Sequence, residues 1–108
     1  MYKMLRPIKY KISASHIQGS GVIATDYINK GEIIDVGIDY WFYLFPYVTS
    51  YCGSWINHCR NANTQLLYIN NKYYIVAIRP INKGSEITVN YDTTPWYIDG
   101  SRPWYKEC

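Results

Sequence analysis

Apolar and polar positions alternate with a period of two over residues 9–14 (KYKISA), the spacing that places successive side chains on opposite faces of a strand. Short runs at 21–25 (GVIAT), 32–36 (EIIDV), 64–69 (TQLLYI, closed by Asn70), 72–79 (KYYIVAIR) and 86–91 (EITVNY) are rich in β-branched and aromatic residues and are bounded by turn residues, so each predicts a strand. The Asn70–Asn71 step between two of them predicts a tight hairpin, because Asn tolerates positive φ. Residues 40–56 are less regular. Their opening, YWFYLFPYV, is strongly apolar and broken by Pro46, a pattern that predicts a short helix from about Pro46 to Gly53.

Two segments nearly repeat each other. INKGEII (28–34) and INKGSEI (81–87) each present an Ile, an Asn–Lys step, a Gly able to turn and a Glu close to the start of a strand. Their separation is too large for a solenoid period, so they are expected to be one turn solution used twice. From residue 92 onward the chain reads DTTPWYIDGSRPWYKEC, a loop-rich stretch with two Pro–Trp pairs. So many aromatic residues are seldom found in a disordered tail, and the segment is expected to pack on the body or on a ligand.

Composition sharpens this picture. A chain of 108 residues with 48% hydrophobic and 18% charged residues is expected to form one domain, residues 1–108, with a real core. Its 13 Tyr predict hydroxyls lining a cleft. The net charge of +3 is spread without a basic run, which speaks against direct nucleic-acid binding. Cys52, Cys59 and Cys108 form no C-x-x-C pair, which argues against a zinc site, and an odd number predicts free thiols in a reducing, intracellular compartment. The polar N-terminus predicts no signal sequence, and the absence of a long apolar run predicts no membrane span.

Four stretches, in order, resemble the SET-domain family of protein lysine methyltransferases. QGSGVIATDYINKGEII is similar to the family's opening G-x-G, strand and KGE turn. YCGSWINHCRNANTQ is similar to its segment bearing an Asn–His pair, matched here by Asn57 and His58. RPINKGSEITVNYD resembles the strand that ends in its catalytic tyrosine, and RPWYKEC resembles a short closing segment in which a Trp covers the cofactor. The short length resembles the compact SET proteins of large DNA viruses and some bacteria, which would put the protein in a host nucleus or a virion if it is viral and otherwise in the cytoplasm. Cys59 replaces the family's Ser, Ala62 replaces its Pro, and the cysteines of zinc-bearing tails are missing. The resemblance implies a mostly-β SET fold of small sheets, a short helix and a C-terminal segment threaded under a loop. Residues 92–108 would form the cofactor-closing piece.

The resemblance also implies a chemistry: methyl transfer from S-adenosyl-L-methionine to a protein lysine, with a basic peptide such as a histone tail as partner and no metal. Gln18, Gly19 and Ser20 would meet the donor's methionine part, the two glycines Gly19 and Gly21 letting backbone approach it closely. Asn57 would contact the donor, with His58 chiefly a structural and backbone contact. Tyr91 would be both the catalytic residue and a cofactor contact, orienting the amine. Trp104 would stack on adenine, with Trp96 as its competitor, and Tyr68, Tyr73 and Tyr74 are candidates for the lysine channel. Read without the resemblance, the G-x-G is a turn before a strand, Asn57–His58 a hydrogen-bonded turn, and Tyr91 a core residue at a strand end. A Cys59–His58 nucleophile is disfavoured because adjacent side chains diverge. The rival functions are a SET-like binding module without catalysis and a small nucleic-acid-binding β domain that stacks bases on its aromatics. A homodimer would complete a peptide groove that a short insert leaves open.

Overall fold

The computed structural model describes residues 7–95, 98, 100 and 108. Eight strands occur in the order β1 (Tyr10–Ala14), β2 (Ser20–Ala24), β3 (Ile33–Trp41), β4 (Phe45–Val48), β5 (Asn57–His58), β6 (Thr64–Ile69), β7 (Lys72–Ala77) and β8 (Glu86–Val89). They form two four-stranded sheets, β1-β2-β8-β5 and β4-β3-β7-β6. The β5–β8 pair is parallel and the other strand pairs are antiparallel. Val22, Ile87 and Val89 of the first sheet and Ile34, Ile75 and Ala77 of the second belong to one buried cluster. The mostly-β class and small sheets expected from the sequence are the ones observed, and the C-terminal segment expected to thread under a loop lies largely outside the described residues.

Local chemistry accounts for most of the strands. Asn70 and Asn71 adopt φ of 49° and 64°, the left-handed geometry of a two-residue turn, and set the register Tyr68↔Tyr73 and Ile69↔Lys72. The long β3 bends through register irregularities at Ile33/Asp35 and Val36/Ile38, and it runs on to Trp41, well beyond the predicted 32–36.

The helix expected over Pro46–Gly53 is absent. Phe45–Val48 is strand β4 instead, at the outer edge of its sheet, and the helical geometry that follows is one 3-10 turn, Gly53–Trp55. The Thr49 amide donates to the Gly37 carbonyl at 3.0 Å. Alternation along the ladder from that bond turns the Pro46 nitrogen outward, where a missing N–H costs no hydrogen bond. Among the described residues the other helical element is the 3-10 turn Tyr91–Thr93, whose start is capped by the Asn90 side chain.

The near-repeat is a structural unit. Ile28 and Ile81 form an isolated antiparallel bridge, each amide donating to the other's carbonyl at 2.9 Å. Their flanks correspond as well. Gly31 (φ 87°) donates to the Ala77 carbonyl at 2.8 Å and Gly84 (φ 89°) donates to the Ala24 carbonyl at 2.8 Å. Each turn thus closes the strand exit beside the other, a local two-fold arrangement that ties the two sheets together. Both isoleucines are at most 2% exposed. Ile28→Ala and Ile81→Ala should each lower unfolding free energy by about 2–5 kcal/mol. Because the two share one contact, the double variant should depart from additivity by more than ~0.5 kcal/mol in a denaturant double-mutant cycle.

Candidate active site

The site is assembled where the chain between residues 49 and 64 meets β8. The Thr49 hydroxyl donates to the Val36 carbonyl and accepts the Gly53 amide, both at 2.8 Å. A side chain at Gly53 would run into the Gly37 carbonyl and Val48. This tight corner delivers Ile56, Asn57 and His58 alongside β8. The loop that follows grips β8. Asn63 acts there like an extra strand residue, its amide nitrogen donating to the Glu86 carbonyl at 2.9 Å and its oxygen accepting the Thr88 amide at 2.9 Å. The Thr64 hydroxyl adds a 2.6 Å bond to the Thr88 carbonyl, and the Cys59 amide donates to the Val89 carbonyl at 3.0 Å.

Tyr91 leaves the end of β8 under two constraints. Its amide donates to His58 Nδ1 at 2.9 Å, and its hydroxyl donates to the Ile56 carbonyl at 2.7 Å. The imidazole, buried beside the phenol ring at a centroid distance of 5.2 Å, accepts at Nδ1 and so carries its proton on Nε2. The phenolic proton is directed at the Ile56 carbonyl, which fixes the orientation of the hydroxyl. Ile56 and Tyr91 both line a cavity of about 330 Å³ whose other walls include Gly37, Ile38, Ile75 and Val89. That volume is at the small end of ligand pockets, and the walls are mainly apolar. Gly37 keeps it open, since a side chain there would come within 3.0 Å of Ile75 and 3.1 Å of Leu66.

Asn57 precedes His58 in β5 and its side chain therefore points to the opposite face. There it joins a second, polar cluster. Its Nδ2 lies within 3.2 Å of Ser15 Oγ, Glu86 Oε2 and the carbonyls of Gln18 and Ser20. Ser15 Oγ donates to the Glu86 carboxylate at 2.7 Å and accepts the amides of Ile17 and Gln18. Gly21 makes the cluster possible, because a Cβ there would overlap the Glu86 carboxylate and lie 3.0 Å from Asn57 Nδ2. The second glycine of the G-x-G thus makes room for protein side chains. Gly19, at φ 50°, supplies the left-handed turn with open space around it. Carbonyls and a carboxylate make the cluster rich in hydrogen-bond acceptors.

A SET-domain family model matches residues 35–92. The chain belongs to the SET-domain family. Solved structures agree with it in fold. A candidate histone methyltransferase of Plasmodium falciparum is similar at 22% identity and a TM-score of 0.64, over 84% of this chain and 99% of that one. The SET domain of the RIZ1 tumor suppressor is similar at 22% identity and a TM-score of 0.61, over 80% of this chain and 71% of that one. A chain of Chaetomium thermophilum Polycomb Repressive Complex 2, in a humanized mutant bound to the inhibitor GSK126, is similar at 20% identity and a TM-score of 0.59. That match covers 83% of this chain and 16% of the other. No curated protein sequence matches the chain significantly.

Within this SET domain, Gln18, Ser20 and Asn57 are joined in one cluster, with Gly19 in its turn, and His58 and Tyr91 in another at the opposite face of β5. Trp96 and Trp104 lie outside the described residues. Tyr68 and Tyr73 pack on each other at 5.1 Å, on the same sheet face as the cavity wall but farther along it, while Tyr74 falls on the opposite face. Among the described residues Tyr91 is the tyrosine that lines the cavity, so none of those three channel candidates does. The expectation of three free thiols is also corrected. Cys59 and Cys108 form a disulfide with Cα atoms 5.7 Å apart, a pairing hidden by 49 residues of sequence separation. Cys52 stays free, and burial pushes its thiol up to about 12. Among the described residues no group of three or more His, Cys, Asp or Glu is arranged to hold a metal.

Ser15, Glu86 and Asn63 were not anticipated as site residues. Glu86 had a signal in the sequence, since it sits two residues before Thr88 in the strand that leads to Tyr91. Ser15 had none, being linked to Glu86 across 71 residues. The Gly21→Ala variant should push Asn57 and Glu86 apart and cost about 1–3 kcal/mol of stability, read by chemical denaturation. Gly19→Asn, where positive φ is tolerated and space is open, should cost well under 1 kcal/mol in the same assay.

Proposed function

We propose that this SET domain transfers a methyl group from S-adenosyl-L-methionine to the side-chain amine of a protein lysine, with a basic peptide, a histone tail, as substrate. The observation that carries the reading is the double restraint on Tyr91, which holds a phenolic oxygen at the wall of an apolar cavity. The acceptor-rich cluster at Gln18, Ser20, Asn57 and Glu86 fits the α-ammonium of the donor. Among the described residues the Asn57 side-chain oxygen accepts no hydrogen bond, which leaves it for that group. The fold likeness to a candidate histone methyltransferase supports the choice of substrate.

Bound S-adenosyl-L-methionine supplies an electrophilic methyl group on a positive sulfonium. The lysine amine must meet it neutral. At pH 7 the ordinary lysine pKa makes deprotonation cost about 4.6 kcal/mol. Ile38, Ile56, Ile75 and Val89 strip water from the amine and so favour its uncharged form. Tyr91, restrained at both its amide and its hydroxyl, sits at the wall where the amine would arrive and so limits the orientations open to it. The nitrogen lone pair is then directed at the methyl carbon. The bound donor would supply the methyl group, its carbon bonding to the nitrogen as it leaves a sulfur that departs neutral. The charge passes to the amine, which then releases a proton to water. Alignment accounts for much of the rate, because a held near-attack geometry replaces a bimolecular encounter.

Methyl transfer from labelled donor to core histones should be measurable with the unaltered chain. Tyr91→Phe removes the oxygen and keeps the ring, so its kcat should fall about 100-fold or more while calorimetric donor binding changes little. Asn57→Ala should weaken donor binding. Donor binding without any transfer would favour the non-catalytic binding module, and equal activity of all three proteins would remove the site assignment.

A further inference from the structure

The β3–β4 hairpin carries an exposed aromatic surface with no role in the site described above. Trp41, Phe42, Tyr43, Leu44, Phe45 and Tyr47 are each between 49% and 80% exposed. Their five rings alone present roughly 600 Å² to solvent. A monomer's largest apolar patch is usually about 300–600 Å², and a stable interface needs about 800 Å² per partner. Tyr51, also exposed, extends the patch toward that size.

The backbone makes the surface harder to explain as monomer structure. Phe42 and Tyr43 sit at φ 53° and 61°, a region that bulky side chains rarely adopt. Strain of this kind persists where something else compensates for it. Burial in this chain does not, since these two rings are 69% and 80% exposed. Trp41 and Phe42 stack at a centroid distance of 4.7 Å and Trp41 contacts Phe45 at 6.5 Å, so the rings form one contiguous surface.

We propose that a second copy of this chain covers the hairpin, forming a two-fold homodimer through these aromatic side chains. Three observations favour that occupant. Residues 40–56 contain no Asp, Glu, Lys, Arg or His, so two copies can meet there without local like-charge repulsion despite a net charge of +3 on each. The one carboxylate opposite Tyr47, Asp39, is already paired with Lys72 at 2.8 Å, which leaves a basic peptide little to recognise, and the patch offers an anionic membrane surface no cluster of basic residues. The area, with Leu44 and Tyr51 added to the rings, approaches what a self-associating patch requires. Pro46 turns its nitrogen outward and blunts β4 as a pairing edge, so the contact runs through side chains and does not grow into an open sheet. The hairpin ends at Ile38 and Val48, two walls of the cavity, so association also braces the substrate-facing side of the fold. The proposal does not depend on the methyl-transfer reading.

Sedimentation of the full chain across a concentration series tests it. The expected result is a reversible species of twice 12.7 kDa that high salt does not weaken. The double variant Phe42→Asp with Tyr43→Asp should sediment at 12.7 kDa with an unchanged or higher melting temperature, because Asp accepts left-handed φ better than Phe or Tyr. A wild-type chain that stays monomeric throughout the series overturns the proposal whatever the variants do. So does a folded double variant that still dimerises. Should the double variant not fold, Leu44→Lys, at ordinary φ, takes its place with the same two outcomes. Monomeric wild type that co-sediments with neutral phosphatidylcholine vesicles would assign the patch to a membrane surface.

Discussion

Tyr91 is held from two directions by neighbours in sequence, Ile56 and His58, and the arrangement of the site depends on that pair of hydrogen bonds. The amide bond to His58 fixes where the chain turns after β8, and the hydroxyl bond to Ile56 fixes the ring and the direction of its proton. Both partners lie on the segment that pairs with β8 in parallel, Asn57 opposite Thr88 and His58 opposite Val89. A parallel pair cannot be closed by a hairpin. It needs the chain to travel away and return, which here means β6, β7 and the second KG turn between the two halves of the site. The tyrosine is therefore in place only when most of the fold is.

That parallel pair also divides the site. Alternation along β5 sends Asn57 toward Ser15, Glu86 and the carbonyls of the G-x-G turn, and His58 toward Tyr91. Two unlike environments result, one crowded with acceptors and one mainly apolar, separated by a single peptide unit. The proposed reaction, between a charged donor and a neutral amine, would use such opposite surroundings. Glu86 and Gly21 belong together here. The carboxylate occupies the space a side chain at position 21 would fill, so the glycine and the acid are a steric pair as much as parts of a motif.

The Ile28–Ile81 bridge supports both halves from behind. Each KG turn donates to the carbonyl at the end of the strand that precedes the other turn. This reciprocity gives the near-repeat a physical meaning: the same seven-residue solution is used twice because the two copies face each other. The β3–β4 hairpin lies outside this braced centre, and its exposed rings gain nothing from it.

Period-two alternation and turn chemistry were enough to locate β1, β2, β6, β7 and β8 within one or two residues, since these depend on neighbours close in sequence. The Asn70–Asn71 turn belongs with them. The Asn–His pair and Tyr91 were legible too, because they sit in motifs whose order along the chain is itself a signal. Other features depended on contacts between distant segments. Strand β4 exists because β3 runs on beside it and leaves Pro46 facing outward, which no local rule for Pro anticipates. Ser15 meets Glu86 and Cys59 meets Cys108 only after the chain has closed on itself. Hydrophobic patterning reports which face a residue turns to the core. Which side chain stands opposite it is decided by the packing of the two sheets.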